Sequence, residues 1–444
     1  MKILHVFHYS NLVNGVDRTT LTLLCALRQL GADVSALVPD RGDVTQALDE
    51  LGVPYRVALL GCCTGPSKPA ELAYLAYAAT RAEMIESWLR EGNFDLIHLN
   101  TGHLIDGAIA ACKANVPVVW HIHAPFEIDL ERYIRFMGPA AYAWLLGELG
   151  HHVIAVSEDV RASLLQWLPS EKVSTLYNGI DVDDLGIRAR QPCKPLPCKP
   201  LREELGLPVN VPLVLGVGRI SAQKDFATFV RVARRVADTH ASVCFVIVGP
   251  VEARELAEAL PKQIKELGLD GRVFVLGARS DVPALLAQSN VFLSTAIFEG
   301  QGLAALEAMS LNKPVVAMDC VGLRECIEHE IDGLLVPLGD EGACAQAVLR
   351  VLHDGALAEM LGQRGRQSVL DKYSAQAYAK GFLAITESVL HKTRTGEKAP
   401  AADFVLGLLK KIREAHDRAT QLDQRANLQT RLKNRLLQWT NYLK

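Results

Sequence analysis

The sequence has no run approaching the roughly 18 consecutive apolar residues that a membrane-spanning helix requires, so the chain is not expected to cross a bilayer. It has no surplus of charge either: 47 Lys and Arg stand against 50 Asp and Glu, a formal net charge of -3. That balance offers no global attraction to nucleic acid or to an anionic membrane, so any such attraction must be local. Metal-ligand spacing is missing as well. The ten cysteines are scattered, and Cys25, Cys112, Cys244 and Cys320 sit in apolar runs, where a reduced thiol acts as a small hydrophobe. Cys193 and Cys198 belong to a tandem Pro-Cys-Lys-Pro-Leu repeat at 192–201, a separation that matches no common zinc pattern. This cysteine usage fits a reducing cytoplasm. Nor does a Gly-x-Gly-x-x-Gly follow the first apolar run, which argues against a hydride-transferring dehydrogenase.

What is present is length and alternation. At 444 residues and 49% hydrophobic, the chain exceeds what a single core normally serves, and two domains are the economical reading. Residues 1–7 carry an apolar run too short for a signal peptide and read as a first strand. Apolar runs at 3–7, 34–38, 55–60, 96–99, 116–122, 153–156 and 173–176 alternate with helix-like stretches at 18–30, 45–51, 71–90, 104–114 and 159–167. The pattern restarts with runs at 213–217, 243–248, 272–276, 291–294 and 314–317. Between them lie helical stretches at 226–237, 254–267, 282–288 and 303–310. In the first of these, Phe226, Phe229, Val230, Ala233, Val236 and Ala237 share one face, as a helix packed on a sheet requires. Such alternation predicts two α/β, Rossmann-like halves built on parallel sheets. The expected division is a first domain over 1–185, a proline-rich linker over 186–201, a second domain over 202–375, and a helical crossover with a basic extension over 376–444. From Lys392 to Lys444 there are 12 Lys and Arg against 5 Asp and Glu. A solvated helix is the plain reading of that tail, and a docking helix for an anionic membrane or a partner is the alternative.

Three segments carry chemistry. Residues 298–307 read Phe-Glu-Gly-Gln-Gly-Leu-Ala-Ala-Leu-Glu, a strand end, a glycine turn and a helix start. A helix beginning near Gly302 presents unpaired backbone N–H groups and partial positive charge, which suits a phosphate. Glu299 can accept hydrogen bonds from sugar hydroxyls, and Glu307, about two turns along, is placed to reach a ribose. Residues 216–225 run from a buried strand into Gly218, then Arg219 and Lys224, then a helix. Open α/β sheets bind ligands at the carboxyl ends of their strands, where both cations fall. Fixed cations there stabilise a leaving diphosphate more as its charge grows. In the first half, Asn14, Gly15, Asp17 and Arg18 follow the first strand, with Gly15 permitting close backbone approach. His121 and His123 share one face of a strand; His123 at the strand end reads as a polar contact in the cleft and His121 as structural. Asp181 and Asp183 form an Asp-x-Asp that reads as a turn rather than a metal site.

Together these residues resemble glycosyltransferase family 4, the retaining enzymes of GT-B architecture, over about residues 1–385. The resemblance rests on Gly218, Arg219 and Lys224, on 298–307, and on Asn178-Gly179-Ile180-Asp181, with weaker matches at 155–158 and 332–336. It implies an α/β fold of two Rossmann-like domains facing each other across a cleft. It further implies that Arg219 and Lys224 bind the donor pyrophosphate, Glu299 the transferred sugar and Glu307 the ribose, with His123 beside the reacting sugar. Gly15, Gly218, Arg279, Gly300, Gln301, Gly302, Leu303 and Ala304 would complete the donor site. The implied substrates are a nucleotide sugar and a glycan, lipid-linked or small-molecule acceptor, with no metal or other cofactor, in cytoplasmic synthesis of polysaccharide or glycolipid. The peripheral contact, if made, would run through 402–444. The chain departs from the family in having Asn14 before Gly15, where a second glycine is usual, and Gln301 between Gly300 and Gly302. Two other classes share the architecture: a nucleotide-sugar epimerase, which would isomerise donor without acceptor, and a non-catalytic partner subunit acting through the basic tail.

Overall fold

The computed structural model describes residues 1–12, 15–60, 68–126, 139–190 and 199–394, together with 405, 407–411, 413, 414, 417 and 418. The first half holds β1 (Lys2–Val6), β2 (Asp33–Val38), β3 (Tyr55–Val57), β4 (Leu96–Leu99), β5 (Val118–Ile122), β6 (His152–Ala155) and β7 (Val173–Thr175). The second holds β8 (Leu213–Val217), β9 (Cys244–Val248), β10 (Val273–Val275), β11 (Val291–Ser294), β12 (Val315–Asp319) and β13 (Leu334–Pro337). They form two separate sheets, ordered β3-β2-β1-β4-β5-β6-β7 and β10-β9-β8-β11-β12-β13. Every pairing is parallel. Central strands β5 and β9 are buried along their whole length, which is why they read as unbroken apolar runs: helices cover both faces of a parallel sheet.

The strand order reverses between β1 and β4 in one sheet and between β8 and β11 in the other. A reversal leaves a crevice at the carboxyl ends of the two strands, because the connections leave in opposite directions. The loops after β1, β4, β8 and β11 therefore line the sites where ligands enter this fold. The helix Phe226–Thr239, which follows β8, buries Phe226, Phe229, Val230, Ala233, Val236 and Ala237, the face expected from its spacing.

The segments between and after the two sheets take the following forms. Residues 186–190, read as the start of an irregular linker, complete the helix Val182–Arg190. Asp181, read as part of a turn, accepts the Asp184 N–H at 2.9 Å and so caps that helix. Residues 191–198, with Cys193 and Cys198, lie outside the described residues, and Leu201 at the end of the repeat begins the short helix Leu201–Glu204. At the far end, the helix Ala375–Arg394 returns to the first domain, where Tyr378, Phe382 and Val389 join a core with Ile3, Phe7 and Leu24. Of the basic tail, Val405 and Leu409 are buried in the first domain's core, and Arg413 stacks over Tyr77 at 5.3 Å. Those described tail residues thus pack on the helix Lys68–Gly92. No helix among the described residues is long and apolar enough to cross a membrane.

Candidate active site

In the second sheet, the loop after β8 brings Gly218, Arg219 and Lys224 beside the turn after β11 that carries Glu299 to Gly302. Gly218 is small for a reason: a Cβ there would meet Lys224 Cε at 2.7 Å, so its absence lets the lysine stem lie across the strand end. Lys224 Nζ then pairs with Glu299 Oε1, and the two side chains are 16% and 11% exposed. Gln223 donates to Glu299 Oε2 at 3.2 Å and to the Phe298 carbonyl at 3.1 Å. The lysine's backbone is held too. The Thr295 hydroxyl donates to the Lys224 and Asp225 carbonyls at 3.2 and 3.0 Å, and Asp225, at φ 44, caps the next helix through the Thr228 N–H. Arg219 pairs with Glu252 at 2.7 Å.

Gly302 stands at φ 71 as the first cap of the helix Leu303–Ser310, with no side-chain cap on that end. The left-handed backbone favours glycine, and the uncapped N–H groups of Leu303 and Ala304 keep their affinity for an anion. On the same helix, Glu307 is 7% exposed and pairs with Arg18 of the first domain at 3.1 Å. Three cleft cations, Arg18, Arg219 and Lys224, thus each have a carboxylate partner, Glu307, Glu252 and Glu299 respectively.

The first domain presses against this turn. A Cβ on Gly15 would meet Leu303 Cδ1 at 2.7 Å, and one on Gly300 would overlap the His123 carbonyl. His123 therefore lies at the seam, its Nε2 3.2 Å from Asn100 Oδ1. Gln301 is buried, and its amide pairs with Asn178 like a second peptide group, accepting from the Asn178 N–H at 2.6 Å and donating to its carbonyl at 3.1 Å. The Gln301 side chain is thereby engaged by the seam, and its carbonyl accepts from the Cys326 thiol at 2.7 Å. Carboxylates complete the junction: Glu325 accepts from the Glu158 and Asp159 N–H groups, both at 2.7 Å, and from the Tyr177 hydroxyl at 3.0 Å. Asp159 in turn accepts from the Gly322 N–H at 3.2 Å.

Arg279 stands apart from these groups. It follows edge strand β10 and pairs with Asp281 at 2.8 Å and Glu204 at 2.6 Å, hydrogen bonds that push its pKa up. His121 lies in a buried chain of imidazoles: its Nδ1 is 3.2 Å from His98 Nε2, and His98 Nδ1 is 2.9 Å from His5 Nδ1. Burial lowers the pKa of His5 to about 3 and of His123 to about 3, so both are neutral near pH 7. Asp17, fully buried at the start of the first helix, is raised to about 7 by burial, against backbone N–H groups of Tyr9 and His8 that hold it down. Asn14 lies outside the described residues.

Asn100, Asn178, Asp159 and Glu325 had no assigned role in the sequence reading, although Asn178 stood in a quoted motif. Only Asn100 carried a usable signal, a polar residue directly after an apolar strand. Glu325 lies 166 positions from Asp159, and no local pattern announces such a pairing.

Comparisons with known proteins cover both halves. A model of the group 1 glycosyl transferases matches residues 199–368, and one of glycosyltransferase family 4 matches residues 13–184. The Escherichia coli UDP-Gal:alpha-D-GlcNAc-diphosphoundecaprenol alpha-1,3-galactosyltransferase is 26% identical over 386 residues, 84% of this chain and 93% of that protein. A lipopolysaccharide core biosynthesis glycosyltransferase of Rhizobium meliloti is 30% identical over 264 residues, 57% of this chain and 71% of that protein. Among solved structures, the Anabaena protein HepE in complex with UDP-glucose superposes with a TM-score of 0.71 at 22% identity, covering 87% of this chain and all of that one. With one model over β2 to β7, another over β8 to β13, and an identity of 30% across 71% of a relative, the chain belongs to the group 1 glycosyltransferases of the family 4 type, with the GT-B fold.

Proposed function

We propose that this glycosyltransferase moves a hexosyl group from a nucleoside diphosphate sugar to an acceptor hydroxyl with retention of anomeric configuration. The observation that carries the reading is the junction of Lys224 with Glu299 at the second sheet's switch point, beside Arg219 and an uncapped helix start. In the reaction, the bond from the anomeric carbon to the diphosphate breaks and the acceptor oxygen bonds to the same face of the sugar. The acceptor proton passes to the departing phosphate oxygen, so no dedicated base is required. Arg219 and Lys224 leave their carboxylate partners in part and turn to the diphosphate, whose charge grows as the bond lengthens. Glu299 and Glu307 are then released to accept from sugar and ribose hydroxyls. Gly15, Gly218, Gly300 and Gly302 allow close approach, and the backbone of Gln301, Leu303 and Ala304 supplies donors. Arg279 is assigned to the outer rim of the donor site. No metal is required in this scheme, so activity is expected to persist in chelator.

The acceptor class proposed is a glycan or lipid-linked sugar, supported by relatives whose names place them in lipopolysaccharide core synthesis and on a diphosphoundecaprenol-linked sugar. Lys224→Ala and Arg219→Ala are each expected to lower kcat/KM by about a hundredfold, as loss of one transition-state donor does. Unchanged turnover in both variants would overturn the assignment. A screen of nucleotide sugars by thermal shift identifies the donor, since saturation at a hundred times Kd adds about 2.7 kcal/mol of stability.

A further inference from the structure

Asn100 follows β4 and is fully buried. Its Nδ2 donates to the Val16 carbonyl at 3.3 Å, and its Oδ1 stands 3.2 Å from His123 Nε2. A carbonyl oxygen can only accept, so the Val16 contact determines which end of the amide is nitrogen. The other end is then an oxygen that can only accept, and His123 Nε2 must carry the proton. A neutral imidazole has one N–H, which leaves Nδ1 as the ring's lone-pair nitrogen. Two further contacts hold the residue: Gly300 abuts its backbone carbonyl, and the His121 ring lies 4.4 Å from its own at an interplanar angle of 30°.

We propose that Asn100 is a positioning residue that locks His123 in the neutral Nε2–H form, so that Nδ1 accepts a hydrogen bond from a hydroxyl of the sugar being transferred. The choice of hydroxyl partner rests on the transfer reading given above; the tautomer does not. Val16 lies in the first turn of the helix that begins at Gly15, so the same amide ties the β1 loop to the imidazole. An acceptor-only nitrogen rewards a donating hydroxyl and discriminates against a substrate lacking it, because the part-buried lone pair then loses its partner.

The test uses the full chain with 15N-labelled histidine. Two-bond 1H–15N correlation separates the two neutral tautomers, and the His123 signals are identified by their loss in His123→Gln. The wild type should show Nε2–H, Asn100→Asp should keep it, and Asn100→Leu should lose it in favour of Nδ1–H or a mixture. In turnover, Asn100→Leu should lower kcat about tenfold with donor KM little changed, the size expected for one hydrogen bond made to the reacting substrate. The double variant Asn100→Leu with His123→Ala should be no slower than His123→Ala alone, since residues acting through one group are not additive. An Nδ1–H signal in the wild type, or additive losses in the double variant, would overturn the proposal. If Asn100→Leu does not fold, the wild-type and Asn100→Asp spectra still decide it. Failure of the chain to transfer any sugar would defeat the reading of the reaction while leaving the tautomer result to stand or fall by itself.

Discussion

Gly300→Ala isolates the seam between the domains. The three atoms nearest to a Cβ at this position all belong to the first domain: the His123 carbonyl oxygen, its carbon at 3.0 Å, and Val156 Cγ2 at 3.5 Å. Gly300 is not among the glycines with positive φ, so alanine suits the backbone of its own domain and the clash is purely between domains. A Cβ contact with a backbone carbonyl cannot be relieved by turning a side chain, so the seam must part by about 1 Å, a displacement that can reduce a rate about a hundredfold. The expected outcome is a kcat lower by about that factor, with donor affinity nearly kept because the side chains proposed to hold the diphosphate, Arg219 and Lys224, lie in the second domain. The core side chain that the new Cβ meets, Val156, stands at ordinary van der Waals distance, so the melting temperature should move by no more than a few degrees. The assay is steady-state release of nucleoside diphosphate with acceptor present, alongside a thermal melt. Gly355→Ala serves as control, since a Cβ there meets nothing within 4 Å. Turnover of Gly300→Ala within about threefold of wild type would refute the view that this contact sets the reacting geometry.

Glu325→Ala removes the acceptor for two backbone N–H groups and the Tyr177 hydroxyl. Allowing for solvation of these groups when the domains open, closure should weaken by about 2 kcal/mol, roughly thirtyfold; an unchanged scattering profile with donor bound would argue against the latch. His5, His103 and His123 fall to about 3 on folding, and His8, His151 and His152 to about 4, all through burial. Between about pH 4 and 6.5 the unfolded chain therefore binds more protons on these rings, and the stability they support above pH 6.5 is lost as pH falls through that window. Asp17 works in the opposite direction, since its raised value gives the folded state the extra proton between its ordinary 3.8 and about 7. Six rings outweigh one carboxyl, so melting temperature should drop steadily from pH 7 to 5, and a flat profile would contradict the burial argument. Asp17→Asn keeps an acceptor for the Tyr9 N–H and removes the ionisation. It should raise the melting temperature at pH 8 and lose more than half of that advantage by pH 5, the remainder going only below the ordinary 3.8; equal gains at pH 8 and pH 5 would show that the charge is not the cause.

The alternation of apolar runs and amphipathic helices was enough to read two parallel α/β halves, because a strand covered on both faces is an unbroken apolar run and a helix packed on a sheet repeats its apolar residues with a period of 3.6. The loops after β8 and β11 were legible for a related reason: glycine, a cation or a carboxylate at a strand's carboxyl end is a local signature of ligand approach. The helix Val182–Arg190 was not legible: Asp181 to Asp183 read as a turn and 186–201 as a linker, because the proline-rich repeat points to an irregular segment. Arg279 has the right chemistry for an anion, but its pairing with Glu204 depends on a residue 75 positions away. What the tertiary structure alone decided is which charges meet. Arg18 finds Glu307 from the other domain, Gln301 spends its amide on Asn178, and the His123 ring meets the Asn100 amide. The first two contacts exist only once the two sheets stand face to face, and the third only once β4 and β5 lie side by side in the first sheet; no property of neighbouring residues along the chain encodes those distances.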